Sequence, residues 1–153
     1  MIKIYTTPSC SSCRKAKKWL DKYLIEYTEK NIFTQPLTDE DIDKMLLNAE
    51  NGFDDIISTR SKVFKEKELD IEDMLMSELK DFIMENPSVL KRPIIVDETR
   101  MQVGYNEEEI RIFIPTRLRE MIMNIRVSEE NSEEYERVVN QYIEEEKQKK
   151  LSQ

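Results

Sequence analysis

The sequence predicts an α/β chain built on a mixed four-stranded sheet, with a helical insert in the middle and a helical extension at the C-terminal end. Three observations predict it. The chain opens strand–helix–strand, with joints short enough to make those two strands parallel. Late in the chain, Ile94-Ile95-Val96 and Met101-Gln102-Val103-Gly104-Tyr105 flank the turn Asp97-Glu98-Thr99-Arg100 and read as a hairpin. Between these pairs the pattern is helical, with a capped helix from Thr38 and a helical but broken pattern from Phe53 to Pro87.

Ile2-Lys3-Ile4-Tyr5-Thr6 is β-branched and aromatic with period-two alternation, which makes it the first strand. Ala16, Trp19, Leu20, Tyr23 and Leu24 then recur at helical spacing and give one apolar face. Ile25 to Asn31 alternates again as a second strand. Phe33 to Leu37 is a turn set by Pro36, and Thr38 is placed to cap a helix whose first turn carries Asp39, Glu40 and Asp41. Ile42, Met45, Leu46 and Ala49 form that helix's apolar face, and Asn51-Gly52 reads as its stop. Within the insert, Leu75, Leu79, Phe82 and Ile83 are the expected inward residues. After the hairpin, Asn106 and Glu109 are spaced as a capping box for a helix from Glu107 to Ile114, which Pro115 ends. Leu118, Met121, Ile122 and Ile125 continue at helical spacing beside Arg117, Arg119 and Arg126. In the glutamate-rich stretch from Ser128 to Gln153, Tyr135, Val138, Val139, Tyr142 and Ile143 form an amphipathic stripe. That stripe either docks, on this chain or a partner, or frays as a terminal helix.

The order β-α-β, inserted helices, β-β-α is that of a thioredoxin-like fold. It divides the chain into a domain at 1–120, with sheet segments at 1–35 and 88–120 around a helical insert at 38–87, and an acidic helical extension at 121–153. By analogy with such folds, Pro93 is the expected cis proline facing the cysteines.

Composition bounds the function. The chain has 153 residues and a formal net charge of −8, so the whole molecule repels nucleic acid, and DNA contact needs a local basic patch or a partner. Met1 runs straight into a strand, which predicts no signal peptide, and no apolar run approaches the roughly 20 residues of a membrane span. The expected location is cytoplasmic, where a disulfide is transient, catalytic or sensing.

The chemistry concentrates in Thr7-Pro8-Ser9-Cys10-Ser11-Ser12-Cys13-Arg14-Lys15-Ala16, which holds the only two cysteines, spaced C-x-x-C between strand and helix. The exposed N–H groups and dipole at a helix start favour thiolate over thiol, and Arg14, Lys15, Lys17 and Lys18 add positive charge. With two cysteines and no histidine, one chain lacks the four ligands of a structural zinc site, so no metal is expected. Inert buried cysteines remain an alternative. Two enzyme readings also stand: a thiol–disulfide oxidoreductase, and a Cys10 nucleophile acting on an oxyanion held by Arg14, Arg60 and Arg92.

Thr7 to Ala16, together with Gly52 followed by Ile56-Ile57-Ser58-Thr59-Arg60-Ser61-Lys62-Val63-Phe64, is similar to the Spx family of transcriptional regulators, relatives of glutaredoxin-linked arsenate reductases. A third block, Arg92-Pro93-Ile94-Ile95-Val96-Asp97 continuing from Gln102 to Arg111, completes a resemblance that covers about residues 1 to 120 in order. The resemblance implies a non-enzymatic, redox-responsive regulator without a cofactor. Its implied partner is the C-terminal domain of the RNA polymerase α subunit, with promoter DNA met only within the polymerase complex. It implies Cys10 and Cys13 as the sensing pair, Gly52 in the α-subunit contact, and Arg60, Lys62 and Arg92 in the redox-coupled basic region. Turnover by Clp protease and an adaptor, through the C-terminus, is also implied. The acidic ending here departs from that family pattern.

Overall fold

The computed structural model describes residues 1–67, 70–125 and 132–152. Its sheet is four-stranded and mixed, in the order β2-β1-β3-β4, with β1 at Ile2–Thr6, β2 at Tyr27–Asn31, β3 at Ile94–Val96 and β4 at Met101–Val103. β1 runs parallel to β2, pairing Ile4 with Glu29, and antiparallel to β3, pairing Ile4 with Ile95. β3 and β4 form the antiparallel hairpin, with Ile95 opposite Gln102. The parallel pair follows from the helical crossover α1 (Ser11–Lys22), since a short turn can join only antiparallel neighbours.

Each sheet face carries its own apolar cluster. On one, Tyr5, Ile94 and Val96 pack against Ile42 and Met45 of α2 (Asp39–Leu47) and Leu79, Phe82 and Ile83 of α5 (Met76–Glu85). On the other, Ile2, Ile4 and Ile95 meet Ala16, Trp19 and Leu20 of α1, with Leu118 of α6 (Thr116–Met123) and Val139 and Tyr142 of α7 (Ser132–Leu151). Between α2 and α5 lie two short helices, α3 (Phe53–Ile56) and α4 (Lys62–Glu66). The insert is closed at its base: Ile57 and Leu90 form an antiparallel bridge, with Ser58 N–H donating to Val89 O at 2.7 Å and Lys91 N–H to Ile56 O at 2.8 Å.

The N-terminus of α2 forms a reciprocal capping box. Thr38 Oγ1 accepts from the Asp41 N–H at 3.2 Å while Asp41 Oδ2 accepts from the Thr38 N–H at 3.0 Å. The same carboxylate accepts from Lys30 Nζ at 2.6 Å, Tyr5 OH at 2.7 Å and Lys3 Nζ at 2.9 Å. A single buried aspartate thus ties β1, β2 and α2 together.

Four local expectations change. α2 ends at Asn48, whose side-chain amide donates to Lys44 O at 2.9 Å, so Gly52 does not stop it. Gly52 instead precedes α3 with φ 61° and ψ −134°, a backbone region that glycine alone visits cheaply. Leu75 lies just outside α5 with extended backbone and is exposed, because the stripe of that helix begins at Leu79. The segment after Asn106 is a 3-10 helix, Glu109–Phe113, and only half of the box forms. Asn106 Oδ1 accepts from the N–H groups of Glu108 and Glu109, whereas the Glu109 carboxylate accepts from Gln102 Nε2 at 3.0 Å.

The C-terminal stripe docks on this chain. Val139 and Tyr142 are buried among the α1 and α6 side chains, with Arg117 ion-paired to Glu145 at 3.7 Å. Arg126 and residues 128–131, also part of the expected C-terminal helices, lie outside the described residues. Tyr142→Ala is expected to lower the unfolding free energy by about 3 kcal/mol, as aromatic truncation in a packed core does. Urea titration checks this; a loss below about 0.5 kcal/mol, the range of surface substitutions, would mean the helix is only loosely attached.

Candidate functional site

The site forms where β1 ends and α1 begins. Thr6 and Thr7 are buried, Ser9 takes a left-handed backbone with φ 60°, and Cys10 becomes the N-cap of α1. Its Sγ accepts from the Cys13 N–H at 3.1 Å, and Cys10 and Cys13 are joined as a disulfide with their Cα atoms 5.2 Å apart. Cys13 is buried while Cys10 is partly exposed, so Cys10 is the more accessible of the two. A sulfur held at a helix N-terminus is stabilised as an anion once the disulfide opens, because unpaired N–H groups point at it.

Two clefts meet at Cys10. The larger, of about 770 Å³, is lined by Cys10, Ser58, Arg60, Ser61, Lys91 and Arg92 among others. Arg60 follows α3 and Arg92 precedes β3, and the Ile57–Leu90 bridge places both on this rim. The Arg92 guanidinium lies 5.6 Å from the ring centre of Phe33, itself 52% exposed. The Arg92–Pro93 peptide is cis, and the Pro93 carbonyl accepts from the Gly104 N–H at 2.7 Å. The second cleft, of about 490 Å³, is lined by Cys10, Cys13, Arg14, Lys17, Glu29 and Thr34 among others. There Lys17 pairs with Glu29 at 3.0 Å and Thr6 Oγ1 donates to Glu29 at 2.7 Å. Burial works against the Glu29 charge, yet the hydrogen bonds from Thr6 and Lys17 hold its carboxyl below the usual range.

The residues singled out from sequence do not all converge. Arg60 and Arg92 share the larger cleft with Cys10, while Arg14 lines the second. Lys62 stands apart on α4, exposed and paired to Glu66 at 3.7 Å. Gly52 sits elsewhere on the surface, and a Cβ built there would meet nothing within 4 Å. Its constraint within this chain is therefore backbone conformation, not space. Lys91, Phe33 and the Lys17–Glu29 pair were not anticipated. A lone charge in an alternating strand carries no sequence signal; only the parallel register of β1 and β2 brings Glu29 to the end of α1. Among the described residues, no group of three or more Cys, His, Asp or Glu side chains is arranged to hold a metal, and no helix is long and apolar enough to cross a membrane.

Comparison with known proteins matches residues 5–113 to the ArsC family. The chain is 50% identical to the global transcriptional regulator Spx of Bacillus subtilis over 119 residues, covering 78% of this chain and 91% of that one. It is likewise 52% identical to the global transcriptional regulator Spx of Lactiplantibacillus plantarum over 119 residues, covering 78% and 90%. Among solved structures, a putative ArsC family related protein from Bacteroides fragilis superposes with a TM-score of 0.62 at 31% identity, over 71% of this chain and 92% of that one. A possible arsenate reductase from Streptococcus mutans gives a TM-score of 0.62 at 25% identity, over 72% and 97%.

Proposed function

The chain belongs to the ArsC family and, within it, to the Spx global transcriptional regulators, and from that premise we propose that it is a redox-switched regulator that binds the C-terminal domain of the RNA polymerase α subunit. The observation that carries the reading is the disulfide between Cys10 and Cys13 at the head of α1, in a chain that is half identical to transcriptional regulators over most of its length. A peroxide supplies the oxidising equivalents. The Cys10 thiolate attacks its O–O bond, giving a sulfenic acid and hydroxide. Cys13 sulfur then displaces the sulfenic oxygen, which leaves as water with the Cys13 proton. Oxidised protein engages polymerase productively, activates genes of thiol homeostasis and interferes with other activators. Arg60, Lys62 and Arg92 form the basic region that the switch moves.

A net charge of −8 fits a protein that meets promoter DNA only when polymerase positions it. Clp protease and an adaptor govern its turnover, and its place of action is the cytoplasm. Gly52 lies in the α-subunit contact. Its open surroundings support this role, because a side chain there would project outward to where a partner's backbone approaches.

The test is capture of the isolated α C-terminal domain by wild type, Gly52→Ala and Gly52→Arg, each reduced and oxidised. Both variants carry the same backbone strain at φ 61°, so the arginine differs from the alanine only in the length and charge of its side chain. The expected result is retained capture by the alanine variant and at least tenfold weaker capture by the arginine variant. Equal capture by all three would remove Gly52 from the contact, and none by wild type in either state would remove the partner. The larger cleft favours a second reading, an arsenate-reductase-like enzyme, because it sets Arg60 and Arg92 beside Cys10 as an oxyanion site requires. Arsenate turnover with glutathione and glutaredoxin would establish it.

A further inference from the structure

The charges around Cys10 are unequal. Arg60, Lys91 and Arg92 line one cleft, Arg14 and Lys17 the other, and among the described residues Glu29 is the single carboxylate lining either. Glu29 is held there firmly: β2 places it opposite Ile4, Thr6 Oγ1 donates to one of its oxygens at 2.7 Å, and Lys17 closes the pair at 3.0 Å. Lys17 lies on α1, one turn beyond Cys13, so Glu29 neutralises the lysine that lines the same cleft as both cysteines. No histidine exists to adjust the site's charge near neutrality.

We infer that Glu29 is a positioning residue that sets the thiolate fraction of Cys10, by pairing with Lys17 and cancelling its charge. The inference rests on the redox reading above and concerns how that site is tuned. Without that carboxylate the lining charges would all be cationic and would favour the Cys10 thiolate further. One carboxylate, locked by Thr6 and Lys17, holds the reactivity lower. The effect is one unit charge within a small cleft, partly exposed to water, which corresponds to about a three- to tenfold change in thiolate population.

The experiment follows alkylation of reduced protein by iodoacetamide across pH, with the label assigned to Cys10 or Cys13 by mass spectrometry. Glu29→Gln keeps the shape and a hydrogen-bond acceptor for Thr6 but frees the Lys17 charge. Its Cys10 rate at neutral pH is expected to rise about three- to tenfold, with the midpoint of the pH profile displaced downward. Lys17→Gln, at a half-buried helix position, leaves the carboxylate uncompensated and is expected to move both quantities the opposite way. The double variant is expected to return to the wild-type profile. A purely structural role would move the two single variants in the same direction, and that result, or an unchanged Glu29→Gln profile, overturns the inference. If the wild-type pair fails to cycle between dithiol and disulfide in glutathione buffers, the redox reading falls as well. If it cycles while the variants do not separate, only the role of Glu29 falls.

Discussion

Asp41→Asn is expected to lower the unfolding free energy by about 3 kcal/mol, the low end for breaking a buried ion pair. For a chain of this length that is a fall in Tm of roughly 6–12 °C. The low end applies because Lys30 and Lys3 retain 17% and 29% side-chain exposure and can turn to water, whereas Asp41 has 5%. Burial opposes the charge of Asp41, but hydrogen bonds from Lys30, Lys3, Tyr5 and the Thr38 N–H outweigh it and hold the carboxyl far below its ordinary range. Burial and that neighbouring carboxylate push the Tyr5 phenol well above its own. A carboxyl depressed on folding contributes stability that is complete above its unfolded value, near 3.9, and is lost as pH falls through the folded one. The difference between wild type and variant should therefore be constant from neutrality to about pH 5 and shrink below about pH 4. Thermal melts across that range check this. A difference that grows on acidification would mean that Asp41 is not held ionised by its partners.

Cys13→Ser is expected to abolish the intramolecular disulfide and leave Cys10 as a persistent sulfenic acid after peroxide treatment. The geometry gives the reason. Cys13 is the buried sulfur and Cys10 the partly exposed one, so oxidant reaches Cys10 first and resolution depends on a neighbour one helical turn away. Labelling by dimedone should be near stoichiometric in the variant and at least tenfold lower in wild type, where Cys13 consumes the intermediate. Cys10→Ser should give no label at all. Labelling of Cys13 in that variant would reverse the assignment of attacking and resolving sulfurs.

Much of this site is legible in the sequence because its cysteines are local. A strand, a helix start and two cysteines three residues apart specify their mutual geometry without tertiary information, as do Thr38 and Asp41 at the head of α2. The sheet is equally legible, since β-branched alternation marks β1, a short buried β-branched run marks β3 and a helical crossover forces the parallel pair. Relations set by packing are not. Leu75 fits the inward pattern but falls outside its helix, and Asn48 ends α2 before Gly52 through a side-chain bond that no spacing rule encodes. Glu29 and Asp41 look like two acids among many, yet one meets Lys17 across the crossover and the other collects donors from β1, β2 and the N-cap of α2. Arg60 and Lys62 are near neighbours in sequence, but of the two only Arg60 reaches the cleft, because α4 starts at Lys62 and carries it away from the rim.

The bridge between Ile57 and Leu90 makes the helical insert a cassette. Arg60 lies just inside the clasp and Arg92 just beyond it, so surface loops of the enclosed segment away from Ser58, Arg60, Ser61 and Ser88 can change length without resetting the rim of the cleft. Closing a longer loop costs little, about 0.6 kcal/mol for each doubling of its length. The outer loops of the insert can thereby vary in length apart from the disulfide at the head of α1, while its inner face stays fixed by the sheet it packs on.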